Sequence, residues 1–183
     1  MTYYGPKELA ASFRTVRDNT IKIAEEIPET QYSYRATPET RTVAETLVHI
    51  AVGPRFQEQV QFVERRSDMA GFDFMGFLTK MIAEEKNPRS KDEIVKFLHT
   101  EGEKFAKELE GLTDDFLGER VLSPQGMVPP SRSRLEMLMG VKEHEMHHRG
   151  QLMLMQRMLG ITPHLTRQMQ ERVAAMRAAQ AAG

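Results

Sequence analysis

The chain has 183 residues, enough for one domain with a full apolar core and short for two. Lys and Arg number 25 against 26 Asp and Glu, a net charge of −1, so the chain carries no electrostatic footprint for nucleic acid. It has no cysteine, which excludes disulfides and thiolate ligands and leaves His, Asp and Glu for any metal site. The first residues, Met-Thr-Tyr-Tyr-Gly-Pro, lack a basic and apolar leader, and no run reaches membrane-spanning length. The expectation is one soluble cytoplasmic domain over 1–183, with neither nucleic acid nor membrane as a partner.

A first helix is expected from Pro6, a good first-turn residue, to about Ile27, where Pro28 stops it. Its apolar stripe is Leu9, Phe13, Val16, Ile23 and Ile27, with Thr20 in the remaining slot. Residues 29 to 41 read as a linker in which Tyr32 and Tyr34 alternate as in extended chain. Thr42 with Glu45 forms a capping box that opens a second helix running to about Arg66. One face of it carries His49, Gly53, Phe56, Val60 and Val63. Pro54 removes a backbone donor and predicts a kink near Ile50, beside the bulk-free Gly53. Phe74 to Glu85 reads as a short apolar helix closed by Asn87-Pro88, suited to covering the bundle or to a contact between copies.

Ser90 with Glu93 caps a third long helix with the stripe Ile94, Phe97, Leu98, Phe105 and Leu109, ending at Gly111. His99 falls opposite Phe97 and is expected in solvent. Glu101 could face a site from this helix, and Gly102 leaves space on its core stripe. Residues 113 to 130 read as an irregular loop with one helical turn at Asp114–Leu117. Ser133 with Glu136 caps the fourth long helix, which ends near Gly160. Thr166 to Gln180 is a polar, Ala-rich helical tail. The sum is an all-α four-helix bundle, with a short extra helix between the second and third long helices.

The fourth long helix carries Glu143-His144-Glu145-Met146-His147-His148-Arg149-Gly150-Gln151-Leu152. His144 and His148 are four apart, the spacing at which two imidazoles on one helical face grip one ion. At about 100° per residue, Met137 and Met155 lie about 20° from His144 and His148 about 40°, so the pair sits inside the apolar stripe. A single buried His ordinarily finds a hydrogen-bond partner. Two facing imidazoles are costly to bury unless something binds them. His49, also on a core stripe, can join them if the second and fourth long helices are neighbours. Three neutral nitrogens suit zinc, nickel or ferrous iron, and three protein ligands leave a position open for water or substrate. Glu101 would close that position if it joined. Gly53, Gly102 and the bend at Pro54 are expected to leave a pocket beside the ion, lined by Phe56, Phe105 and methionines. His147 is either a group supporting the ligands or a packing residue, and Arg149 is expected to face outward. Metal should leave as pH falls below about 6, near the ordinary His pKa.

Thr37-Pro38-Glu39-Thr40-Arg41-Thr42-Val43-Ala44-Glu45-Thr46-Leu47-Val48-His49-Ile50 resembles the first signature of the DinB-like family of metal-dependent enzymes. His144-Glu145-Met146-His147-His148-Arg149-Gly150-Gln151-Leu152, followed by Leu159-Gly160-Ile161-Thr162-Pro163, resembles the second. The similarity spans the first helix through Pro163. It implies an up-down-down-up four-helix bundle, frequent homodimers and a divalent metal on His49, His144 and His148. It also implies a small-molecule substrate, since relatives include thiol-dependent S-transferases and a mycothiol-dependent maleylpyruvate isomerase. The chemistry implied is transfer from a low-molecular-weight thiol or hydrolysis. The alternative is a non-catalytic metal- or ligand-binding bundle that senses or scaffolds.

Overall fold

The computed structural model describes residues 4–181. Helix α1, Pro6–Glu26, starts at Pro6, and the backbone N–H of Gly5 donates to Glu8 at 3.0 Å. Its expected stripe is buried throughout. The linker that follows is not extended. Glu29–Gln31 is a 3₁₀ turn, and Tyr32 adopts helical dihedrals of −69° and −22°. This folds Tyr32 back so that its hydroxyl donates to the Ala24 carbonyl at 2.8 Å. The carbonyls of Tyr34 and Tyr32 then accept from the N–H groups of Val43 and Ala44, at 2.9 and 3.0 Å. With the Thr42–Glu45 capping box, these bonds satisfy the free donors that open helix α2, Val43–Val52.

The second long helix is broken rather than bent. After α2 the chain passes Gly53-Pro54 into a short turn, α3, Arg55–Gln57, and a π-helical turn, Glu58–Val63. Pro54 has no N–H to offer the Ile50 carbonyl. Gly53 N–H takes part of that role at 3.3 Å, and the Arg17 guanidinium takes the rest at 3.2 Å. The wider π turn shifts the face by one residue, so Val60 and Gln61 are buried while Val63 is 70% exposed. The stripe expected through Val63 therefore ends at Val60.

Helix α4, Phe74–Glu85, is capped by Asp73, which accepts from Gly76 N–H at 2.9 Å, and packs on α2. Helix α5, Lys91–Glu110, follows its capping box and buries Ile94, Leu98, Phe105 and Leu109, leaving His99 exposed as expected. After the turn α6, Asp114–Gly118, the expected loop contains two strands, β1, Arg120–Leu122, and β2, Ser131–Ser133. They pair antiparallel, Val121 opposite Arg132, and Leu122 also bonds the backbone of Ser67 and Met69. Helix α7, Arg134–Met158, is the longest, and α8, His164–Ala181, lies largely exposed. Among the described residues no helix is long and apolar enough to cross a membrane.

Pairings between helices give their directions. Along α1, Ser12, Arg17 and Glu26 meet Lys142, Glu145 and Gln156, so α7 runs parallel to α1. Arg14 bonds Glu103, Arg17 bonds the Leu98 carbonyl, and the Ile27 carbonyl accepts from Lys91, so α5 runs antiparallel to α1. His49 meets His144 and Gln61 meets Arg134, so the α2 to π-turn segment runs antiparallel to α7. The four-helix order is up-down-down-up. Its core is divided in two. One half gathers Ile23, Ile27, Leu47, Ile94, Leu98 and Leu152; the other gathers Leu9, Phe13, Phe105, Leu109 and Leu138. Arg17 and Glu145, only 3% and 2% exposed, pair at the boundary, with Nη2 to Oε2 at 2.9 Å. Gly102 serves this pair: a Cβ there would stand 2.8 Å from Arg17 Cγ.

Candidate metal centre

His49 comes from the last turn of α2, and His144 and His148 come from successive turns of α7. His49 Nε2 lies 3.0 Å from His144 Nε2, which lies 3.1 Å from His148 Nε2. One ligand nitrogen from each ring falls within 4.8 Å of the other two. Gly53 faces this contact: a Cβ there would sit 3.5 Å from His144 Nδ1, an ordinary packing distance.

The outer nitrogens have fixed partners. His49 Nδ1 lies 2.7 Å from Glu85 Oε1. Arg41 Nε donates to the other Glu85 oxygen at 2.6 Å. Burial pushes the Glu85 carboxyl up, but the bonds from His49 and Arg41 outweigh it and hold it below the usual carboxylate range. An ionised carboxylate only accepts, so His49 carries its proton on Nδ1 and turns a bare Nε2 to the centre. His148 Nδ1 is likewise 2.8 Å from Gln151 Oε1, and Gln151 Nε2 is 3.1 Å from His147 Nε2. With that amide orientation, assigned from the network, His148 also presents a bare Nε2.

His144 Nε2 can give a proton to one of these neighbours and not to both. The donor set therefore fits a cation. Two or three lone pairs converge where a positive centre satisfies all of them. Ligands at about 2.0–2.1 Å around a tetrahedral ion stand roughly 3.3 Å apart, within a few tenths of the two spacings to His144 Nε2. Burial, then the neighbouring imidazoles, pulls His144 down to about 4, and burial does the same for His148. Both rings are thus neutral, the form that binds metal, well below the ordinary His range. The pH near 6 expected for metal loss moves lower for this reason.

Other sequence candidates lie elsewhere. Glu101 does not join the histidines; it accepts from Arg55 Nε at 2.9 Å. Among the described residues the ligand cluster has no fourth member. Gly102 opens no space at the centre, since Arg17 fills that position, and Phe105 packs edge-on against Phe13 in the core. Arg149 is half-buried rather than outward, and burial lowers its pKa. His164 is buried against Asn19 at 2.9 Å. Glu85, Arg41 and Gln151 were missed as supporting groups. Glu85 lies four residues after Met81 on one face of an apolar helix, and a carboxylate on that face was the available signal.

A cavity of about 730 Å³ opens beside His49 and His144. Its walls include Phe56, Phe72, Phe77, Met81, Met127 and Met137, so Phe56 and the methionines line it as expected and Phe105 does not. The segment before α4, α4 itself and the β1–β2 hairpin supply most of the wall facing α7.

A sequence model of the DinB family matches residues 1–178. The chain belongs to the DinB family. A DinB-like protein of Bacillus subtilis has a similar crystal structure at 21% identity, covering 85% of this chain and 93% of that one, with a TM-score of 0.61. A protein from Streptococcus pneumoniae is similar at 16% identity, covering 86% and 93%, with a TM-score of 0.65. These likenesses establish the DinB fold. No curated protein sequence matches this DinB chain.

Proposed function

We propose that this DinB protein is a metal-dependent enzyme that holds one divalent ion, zinc, nickel or ferrous iron, on His49, His144 and His148. The reaction is transfer from a low-molecular-weight thiol or hydrolysis of a small organic molecule. The observation that carries the reading is the convergence of three imidazole nitrogens, without a fourth protein ligand among the described residues, at the edge of a cavity. When bound, such an ion lowers the pKa of a water or thiol ligand and polarises a carbonyl. Glu85 holds the proton on His49 Nδ1 and so keeps Nε2 free, with Arg41 fixing the carboxylate. Gln151 does the same at His148, and His147 orients the Gln151 amide.

The experiment is elemental analysis of protein purified without chelator or nickel resin, followed by thiol–electrophile, ester and amide panels on metal-loaded and metal-free samples. One metal per chain with metal-dependent turnover supports the reading. Metal bound without turnover on any panel favours a sensor or scaffold.

We also propose a homodimer. Of the apolar segment expected either to cover the bundle or to meet another copy, Phe77, like Phe72 just before it, packs on Phe56 beside the cavity. What supports a dimer is a stripe on α7, with Met146, Leu154 and Met158 exposed at four- and eight-residue spacings around the bare Gly150. A second copy laid on that stripe would remove it from water. Light scattering at micromolar concentration should give twice 21.0 kDa, and the mass of one chain overturns the proposal.

A further inference from the structure

The cavity carries imidazoles and a carboxylate at one end and is mostly apolar elsewhere. His49, His144 and Glu85 mark the inner end, while phenylalanines, methionines and the β1–β2 hairpin form the rest. Most of the other polar groups in the wall are already engaged. Glu85 is bonded to His49 and Arg41, and Gln57 accepts from Gln61 at 2.9 Å. Arg132 and Glu136 both reach the wall and both are exposed; Glu136 is taken up by the Ser133 cap and by Arg120, which leaves Arg132, on the hairpin, as the one Arg or Lys in the lining. The rim leaves apolar side chains in water: Phe74 is 51% exposed, Met127 54% and Val128 89%. The volume of about 730 Å³ lies inside the roughly 300–1,000 Å³ range of small-molecule sites.

Gly140 adds a second, independent observation. It stands one turn before His144 on α7 and lines the cavity, and a Cβ there would meet nothing within 4 Å. A glycine inside a long helix is unfavourable by about 1 kcal/mol relative to alanine. No close contact at Gly140 requires it; what its missing side chain leaves is open volume next to a ligand residue.

We infer that the substrate is amphiphilic. It has a metal-ligating head at His49, His144 and His148, and an uncharged alkyl or aryl body, the size of a medium-chain acyl group, lying past Gly140 toward the β1–β2 hairpin. The inference rests on the metal reading above and narrows it. Phosphorylated, sugar-like or multiply charged molecules are disfavoured, because they would bury polar groups against Phe72, Phe77 and Met127, where the lining offers a single exposed cation, Arg132, on the hairpin.

The test is calorimetric titration of the zinc-loaded full chain with acetohydroxamate, hexanohydroxamate and octanohydroxamate, plus an analogue of octano length ending in a carboxylate. Zinc content is measured first. Affinity should rise by up to about fourfold per added methylene, and the charged tail should forfeit most of that gain. Gly140→Leu should fold, keep its zinc and bind acetohydroxamate, but lose about tenfold or more of the octanohydroxamate advantage. Equal affinities along the series, or an undiminished gain in Gly140→Leu, overturn the inference while leaving the metal site standing. Failure to take up zinc overturns the metal reading, and this inference with it. The chain-length series on the unaltered protein decides the matter even if Gly140→Leu folds poorly.

Discussion

Glu145 and His144 are adjacent on α7, yet they belong to two polar clusters that meet burial in opposite ways. Glu145 faces Arg17, and that pair is closed. The guanidinium gives two hydrogen bonds to Glu145 from Nε, one from Nη2, and others to the carbonyls of Leu98 and Ile50. Arg17 thereby touches α2, α5 and α7 from its seat on α1. Charges balance, donors meet acceptors, and Gly102 supplies the room. His144 faces His49 and His148, where one proton at most serves two facing acceptors and a cavity stands alongside. The first cluster is complete within the chain. The second could hold a cation. A polar group buried with all its partners is structure, and one buried with its partners missing is an invitation to a ligand.

The largest effect expected from breaking this contrast is at the closed cluster. Arg17→Leu leaves Glu145 charged and unpaired in the core, and should cost about 3–5 kcal/mol of folding stability by urea denaturation. The double variant Arg17→Leu, Glu145→Leu should recover most of the loss. If the single variant is as stable as the parent, the pair does not brace the bundle.

At the open cluster the outcome reverses. His144→Ala should abolish stoichiometric metal uptake by elemental analysis, yet leave metal-free stability little changed, because it removes a ring without an ionic partner. His99→Ala, on the solvent face, should keep full metal content. Stoichiometric metal in His144→Ala would remove the ligand assignment.

A smaller effect is expected one bond out from the ligands. Glu85→Gln keeps the size of the side chain but not its charge, and should weaken metal affinity about 10- to 100-fold in chelator competition. An unchanged affinity would mean that Glu85 only anchors α4 through Arg41.

The smallest effect is the response to pH. His144 and His148 are held at about 4 in the fold, while unfolded imidazole titrates near 6.5. Between those values the unfolded chain binds more protons than the folded one. The stability of the metal-free protein is therefore full above about 6.5 and declines as pH falls toward about 4. The midpoint of thermal unfolding should follow that course, and His148→Ala should flatten it. Metal should likewise stay bound until pH is well below 6.

Features carried by neighbours in the chain were legible from sequence. The capping boxes at Thr42, Ser90 and Ser133 all form as read, and α4 occupies Phe74–Glu85 as expected. Each depends on residues three or four apart, so no packing is needed to recognise it. The His144–His148 pair is local in the same sense. His49 was found by its place on an apolar face, and its meeting with the pair needed only that two helices be neighbours.

Long-range geometry decided the remainder. Arg17 looks like an ordinary surface charge until Glu145, 128 residues away, is packed against it. The π turn at Glu58–Val63 and the paired strands Arg120–Leu122 and Ser131–Ser133 are too short to announce themselves by periodicity, and their partners lie across loops. Glu85 is one carboxylate among many until α4 docks on α2 and brings it to His49. By itself the sequence determined the helices, their caps and the residue types able to hold a metal, because those follow from side-chain spacing along one chain. Only the tertiary structure decided which polar groups are satisfied, which stay open, and that a cavity adjoins the open ones, because satisfaction is a property of pairs that folding creates.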